Sequence, residues 1–84
     1  MSMPMPDDPF VVQLASRERE RRVEDLRMAW REACADLRLA YLDWREARAA
    51  HTRDAFAAYV AAVDRESAAA EFFSRHVARE AIAA

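Results

Sequence analysis

The chain has 84 residues, which is enough for one small domain, and its 15 acidic and 13 basic residues leave a net charge of −2. Apolar residues make up 54% of the chain and charged residues 33%, and glycine is absent. These values exclude a multidomain enzyme, a polycationic protein and every phosphate-binding loop that needs glycine. Because turn-forming and β-branched residues are so few, the composition predicts long α-helices.

The single cysteine and the first residues indicate a cytoplasmic protein. Cys34 has no second cysteine with which to form an intramolecular disulfide. Residues 1–9 hold no basic residue and no apolar segment, so no signal peptide is expected. The longest apolar run, residues 55–63, is too short for a membrane span, which needs about 18 residues. Lysine is absent and alanine abundant, a composition typical of a GC-rich bacterial genome.

The start of the chain is predicted to be a flexible tail followed by a helix. Residues 1–8 contain only Met, Pro, Ser and Asp, and this composition buries too little to order a segment. Asp8 can accept hydrogen bonds from free helical amides, and Pro9 loses no hydrogen bond at a first helical position. We therefore expect the first helix to begin at Pro9.

The segment that follows leaves two alternatives open. Phe10, Val11 and Leu14 give the first turns an apolar side, whereas residues 16–22 are polar on every side. Charge pairs at helical spacing would let one helix continue through this polar segment. Alternatively, Ser16 caps a new helix, and the apolar residues before it pack as a separate arm. We favour the continuous helix.

Two apolar stripes with spacings of three and four residues predict two long helices. The first stripe consists of Val23, Leu26, Trp30, Ala33, Leu37, Ala40, Tyr41 and Trp44. The second stripe consists of Phe56, Tyr59, Val60, Val63, Ala70, Phe73, Val77 and Ala81. Charged residues lie between these positions, so each helix has an apolar and a polar side.

A turn is predicted between the two stripes. Extending the first stripe by strict heptads past Trp44 misses Phe56, and no large apolar residue lies between these two aromatic residues. We place the turn at residues 49–53. Thr52 is the candidate N-cap of the second helix, and Asp54 is favourable in its first turn.

The predicted fold is all-α, with residues 9–84 forming one hairpin domain whose helices cover residues 9–49 and 53–82. A single long helix in a coiled-coil rod is the alternative, since no glycine or proline marks the turn. One interhelical contact buries too little to offset the conformational entropy lost on ordering, about 1.5 kcal/mol per residue. The hairpin is therefore expected to dimerise into a four-helix bundle. The residues predicted to form its core or oligomer interface are Val23, Leu26, Trp30, Leu37, Tyr41, Trp44, Phe56, Tyr59, Val63, Phe73 and Val77.

No catalytic, cofactor or metal site is predicted. His76 and Glu80 lie one helical turn apart, but two ligands make only half of a metal site. His51 is expected near the turn, and Cys34, between Ala33 and Leu37 on the first apolar stripe, is expected to be an inert, small core residue. The acidic residues are close to an arginine or on a polar side, and no arrangement typical of an enzyme emerges.

The favoured function is a non-catalytic protein–protein interaction or assembly module. It would associate with itself and could offer Phe10, Val11 and Leu14 to another protein. The alternative is a small DNA-associated regulatory protein that uses the arginine-rich face of residues 17–31. Interleaved glutamates reduce the charge of that face, and both signs of charge flank the apolar stripes. Nucleic-acid and membrane partners are therefore not expected.

Overall fold

A computed structural model describes residues 8–83 and shows an antiparallel helical hairpin. The first helix, α1, spans Pro9–Glu46, and the second, α2, spans Thr52–Ala83. A 3₁₀ turn, Ala49–His51, joins them. The hairpin is 68 Å long, and the described residues contain no strand. The predicted all-α hairpin is confirmed, and the alternative of one continuous rod is wrong.

The start of α1 follows from Asp8 and Pro9. The backbone of Asp8 is extended, and its Oδ1 accepts a hydrogen bond from the N–H of Phe10 at 2.8 Å. Pro9 occupies the beginning of the helix, where a missing N–H costs nothing. Apart from Asp8, the predicted flexible tail over residues 1–8 lies outside the described residues.

The helix α1 continues without a break through the polar residues 16–22. Ser16 does not cap a new helix, because it lies inside α1, where its Oγ accepts a hydrogen bond from Arg19 Nη2 at 3.2 Å. Phe10 and Leu14 therefore belong to the same helix as the first apolar stripe and do not form a separate arm.

The helix α1 ends at Glu46, before the predicted end at residue 49. Ala47 and Arg48 then adopt extended backbone conformations, with φ and ψ of −65° and 135° and of −75° and 157°. Negative φ values are accessible to every L-amino acid, and no described residue has a positive φ. Two extended residues followed by a 3₁₀ turn thus begin to reverse the chain without glycine.

The 3₁₀ turn closes on the carbonyl oxygen of Arg48. This oxygen accepts hydrogen bonds from the N–H of His51 at 2.8 Å and from the hydroxyl of Thr52 at 3.1 Å. Thr52 is therefore a donor within the first turn of α2 and not the N-cap that the sequence predicts. Asp54 lies in the first turn of α2, where a negative charge favours the helix dipole.

The two helices meet along one row of side chains from each, hereafter the seam, with alternating spacings of three and four residues. From α1 the seam takes Val23, Leu26, Trp30, Ala33, Leu37, Ala40, Trp44 and Ala47, and from α2 it takes Ala55, Tyr59, Ala62, Glu66, Ala69, Phe73, His76 and Glu80. Ala62 is buried, with 1% of its surface exposed, and the other seam residues are half-buried. Two helices alone thus shield little apolar surface from water.

The seam agrees with the predicted stripe in α1 and differs from it in α2. In α1, only Tyr41 of the first stripe lies outside the seam, and it is exposed. In α2, the seam shares only Tyr59 and Phe73 with the second stripe. Phe56 and Val77, which are predicted to form the core or the oligomer interface, are exposed in the single hairpin.

The volumes of the opposing side chains account for this difference. Trp30 and Trp44 project from α1, and the alanines Ala55, Ala62 and Ala69 of α2 leave room for such large rings. A row of phenylalanine and valine at those positions would hold the two helices further apart. A sequence search for large apolar residues in α2 therefore selects mainly the row beside the seam and not the row that packs against α1.

Candidate interaction surface

Aromatic side chains from both helices form a cluster at the turn end of the hairpin. Trp44 stacks on Tyr59 with ring centroids 5.2 Å apart, and its ring lies 5.1 Å from that of Phe56. The ring of Tyr41 lies 5.9 Å from that of Tyr59, and the guanidinium of Arg45 lies 5.9 Å from the Tyr41 ring. Aromatic pairs contribute about 0.5–1.5 kcal/mol each beyond their buried area. The hairpin thus brings together four residues of the predicted core or interface.

Trp30 connects the helices near the middle of the hairpin. Its ring stacks on Phe73 at 5.8 Å, and its Nε1 donates a hydrogen bond to Glu66 Oε1 at 2.9 Å. The guanidinium of Arg27 lies 5.8 Å from the same Phe73 ring. Hydropathy misses Glu66, because a carboxylate does not appear in an apolar stripe. The heptad spacing from Tyr59 to Phe73 is the signal that places Glu66 between them.

Glu80 connects the two helices near the open end of the hairpin through Arg19, and it also lies near His76 of its own helix. Its Oε2 lies 3.3 Å from Arg19 Nε, and its Oε1 lies 3.7 Å from His76 Nε2. His76 Nε2 is buried and has no hydrogen-bond partner. Within residues 8–83, no group of three or more His, Cys, Asp or Glu side chains is placed to hold a metal ion.

The arginine-rich face of residues 17–31 is partly neutralised by carboxylates. Arg19 pairs with Glu80 across the two helices, and Arg27 Nη1 lies 2.8 Å from Glu24 Oε2. Each such pair removes a positive charge that would otherwise attract phosphate groups. Two of the six arginines in this segment are thus paired with a carboxylate.

A second row of uncharged, mainly apolar residues runs along α2 beside the seam. Each residue of this row directly follows a seam residue in the sequence. This outer stripe consists of Phe56, Val60, Val63, Ser67, Ala70, Ser74, Val77 and Ala81. None of these side chains carries a charge, and Phe56, Val60 and Val77 are 46%, 42% and 42% exposed. The opposite flank of the α2 seam carries Arg65 and Arg79 instead. The outer stripe is thus a long, uncharged surface that α1 covers only in part, at Phe56, Val63 and Ala70.

Cys34 lies on α1 beside the seam and not within it. Its thiol is free, and the residue is half-buried. With Arg38, Tyr41 and Glu66 it lines a shallow groove between the helices. His51, in the 3₁₀ turn, is exposed.

Further apolar side chains are exposed outside the outer stripe. They are Phe10, Val12, Leu14, Met28, Leu39, Tyr41, Leu42, Phe72 and Ile82. Phe10 and Leu14 lie in the first turns of α1, which extend past the end of α2, because Arg19 is already level with Glu80. Both helices therefore present apolar side chains to water.

No helix within residues 8–83 combines the length and the apolar character needed to cross a bilayer. No protein-family model, curated protein or solved structure matches the chain. The chemistry of the hairpin's own surface is therefore what indicates a function.

Proposed function

We propose that this chain is a non-catalytic protein–protein interaction module of the cytoplasm that associates with itself. In the simplest assembly, two hairpins form a homodimeric four-helix bundle. The observation that carries the proposal is that large apolar side chains are exposed on both helices, while Ala62 alone is buried among the described residues. Exposed apolar surface of this extent is typical of a partner-binding surface.

The solvent-accessible area supports self-association. The chain exposes 7232 Å². A compact monomer of 9.6 kDa would expose about 5,100 Å². The difference, about 2,100 Å², exceeds the roughly 800 Å² that each partner contributes to a standard protein interface. One chain therefore has ample surface for a stable dimer contact.

The exposed first turns of α1 are a second contact surface, and we assign them to another protein. Phe10 is 67% exposed. An amphipathic helix end of this kind fits an apolar groove. Deleting residues 1–14 should leave the hairpin's self-association intact and should abolish capture of any partner that uses this segment.

The DNA-associated alternative has less support, because the carboxylates of Glu24 and Glu80 neutralise part of the arginine-rich face. We expect no binding to random duplex DNA at 50 mM salt, measured by fluorescence anisotropy. Binding that weakens steeply as salt rises would instead favour the DNA-associated function, since counterion release produces that dependence.

Sedimentation equilibrium at micromolar concentration tests the proposed self-association. The expected species has at least twice the chain mass of 9.6 kDa. A folded, cooperative monomer would contradict the proposal. The Trp30→Asp variant should dissociate and unfold together, because its carboxylate would enter the seam. Arg21→Asp, on the exposed side of α1 away from the seam, is the control and should remain oligomeric.

A further inference from the structure

Building on the self-association proposed above, we propose that the outer stripe contacts a second copy of this chain. In this dimer the two α2 helices run antiparallel, and the two-fold axis passes between Ala68 and Ala69. The outer stripe is chosen because it carries no charge and because most of it, including Phe56, Val60 and Val77, is exposed.

The order of side chains along the outer stripe fits a reversed copy of itself. About this axis, Phe56 lies opposite Ala81 of the second copy, and Val60 lies opposite Val77. Towards the centre, Val63 lies opposite Ser74, and Ser67 lies opposite Ala70. The aromatic ring of the stripe, Phe56, thus faces a small side chain. The small residues Ser67 and Ala70 lie where the helices cross. Small residues at a crossing allow close helix approach and dense packing.

A parallel alignment would be less complementary. It would place each residue opposite itself, so Phe56 would meet Phe56 at one end while serines and alanines would leave gaps elsewhere. The other flank of the α2 seam is also a poorer surface, since Arg65, Arg75 and Arg79 lie there or next to it. Burying guanidinium groups without partners is costly.

The charges on the flank of α1 beside the outer stripe do not select a register. Before Arg31 this flank carries Arg17, Glu20, Glu24 and Arg27, whose charges cancel, and after it the flank carries Arg38 and Arg45. The sizes of the side chains in the outer stripe are what favour the antiparallel alignment.

Cysteine cross-linking in a Cys34→Ser background tests the antiparallel register. Ser67 and its copy would be offset by about 4.5 Å along the helix axes, whereas Ser74 and its copy would be offset by about 16 Å. We expect a short bismaleimide to convert C34S/S67C into a covalent dimer with at least about a fivefold higher yield than C34S/S74C, the matched control. Equal yields for both variants would indicate a parallel alignment and would overturn the proposed register.

Sedimentation of the same two variants separates this proposal from the proposed function. A dimer in which neither cysteine cross-links would overturn the outer-stripe contact and leave self-association standing. A monomeric wild-type chain would overturn both.

A charge substitution gives a second, independent test of the contact surface. Val60→Asp places a carboxylate in the outer stripe and should raise the dimer dissociation constant on the order of a hundredfold. Phe72→Asp is the matched control, because Phe72 is exposed on the opposite flank of α2, and it should leave the dissociation constant unchanged. Dissociation by Phe72→Asp but not by Val60→Asp would assign the contact to the other flank.

Discussion

Tryptophan and alanine have complementary roles in the seam at the scale of single residues. Trp30 stacks on Phe73 and also donates a hydrogen bond to Glu66, so its polar nitrogen is satisfied in a half-buried place. Ala62 is the buried residue of the seam, because its small side chain allows the helices to approach closely. Large rings and small alanines together form a thin core that charged side chains border directly.

The Trp30–Glu66 hydrogen bond is expected to stabilise the hairpin by about 1 kcal/mol. A double-mutant cycle of Trp30→Phe and Glu66→Ala, followed by urea unfolding, measures this coupling energy. Trp30→Phe retains an aromatic ring but removes the donor. The matched control combines Glu66→Ala with Trp44→Phe, since Trp44 lies near the turn and makes no contact with Glu66. That pair should be additive within about 0.5 kcal/mol. Additive effects for Trp30 and Glu66 would contradict the prediction.

Glu66 also illustrates how far residue-level prediction reaches. Its side chain is charged, so hydropathy assigns it to the polar side of α2. Its place in the seam depends on Trp30, which is 36 positions away in sequence and supplies the donor. The identity of this non-local partner leaves no mark in the sequence around Glu66, although the heptad spacing from Tyr59 to Phe73 places Glu66 between them.

At the scale of elements, local signals determine where α1 begins. Asp8 accepts a hydrogen bond from a free amide of the first turn, and Pro9 has no N–H that would need a partner. Neither effect depends on α2. Since the first turns of α1 extend past the end of α2, they depend more on this cap than the rest of the helix does.

Asp8→Ala should therefore increase fraying of the first turns of α1. Losing an N-cap costs about 1 kcal/mol, which corresponds to about a fivefold loss of amide protection there. Hydrogen exchange monitored by NMR would detect this change over residues 10–14. Asp8→Asn is the matched control, because asparagine retains a cap acceptor and should preserve protection. The midpoint of global unfolding should shift little, since few tertiary contacts involve this segment.

The joint between the helices shows why glycine is not required. Arg48 has a φ of −75°, close to the value that proline imposes, and Ala47 has a ψ of 135°, which suits a residue before proline. Arg48→Pro should thus stabilise the hairpin by about 0.4–1 kcal/mol through the unfolded state. His51→Pro, the matched comparison, should destabilise it, because it removes the N–H that donates to Arg48. Thermal unfolding measures both changes, and a destabilised Arg48→Pro variant would contradict the observed turn geometry.

At the scale of the whole molecule, the elongated shape limits how much apolar surface one hairpin can bury. Two helices packed side by side form a hairpin 68 Å long that exposes 7232 Å². Such a shape has a high ratio of surface to volume, so a single hairpin gains little from hydrophobic burial. Association of two hairpins would convert exposed rows into a core, and folding would then depend on assembly.

The proposed dimer predicts that stability depends on protein concentration. Raising the concentration a hundredfold should raise the thermal midpoint by roughly 5–10 °C, because mass action favours the associated, folded state. Circular dichroism at two concentrations measures this shift. A midpoint that is independent of concentration over this range would indicate a monomer or an assembly too tight to dissociate, and sedimentation at the lower concentration distinguishes these outcomes.

The sequence by itself determined the helical content, the start of α1 and the row of α1 that packs, because capping and three-to-four spacing are local properties. Only the tertiary structure decided which of two adjacent rows of α2 faces α1. Those rows differ by one residue, or about 100° around the helix, and both are mainly apolar. The volumes of Trp30 and Trp44 on the opposing helix select the row that contains more alanine, and this choice leaves most of the outer stripe exposed.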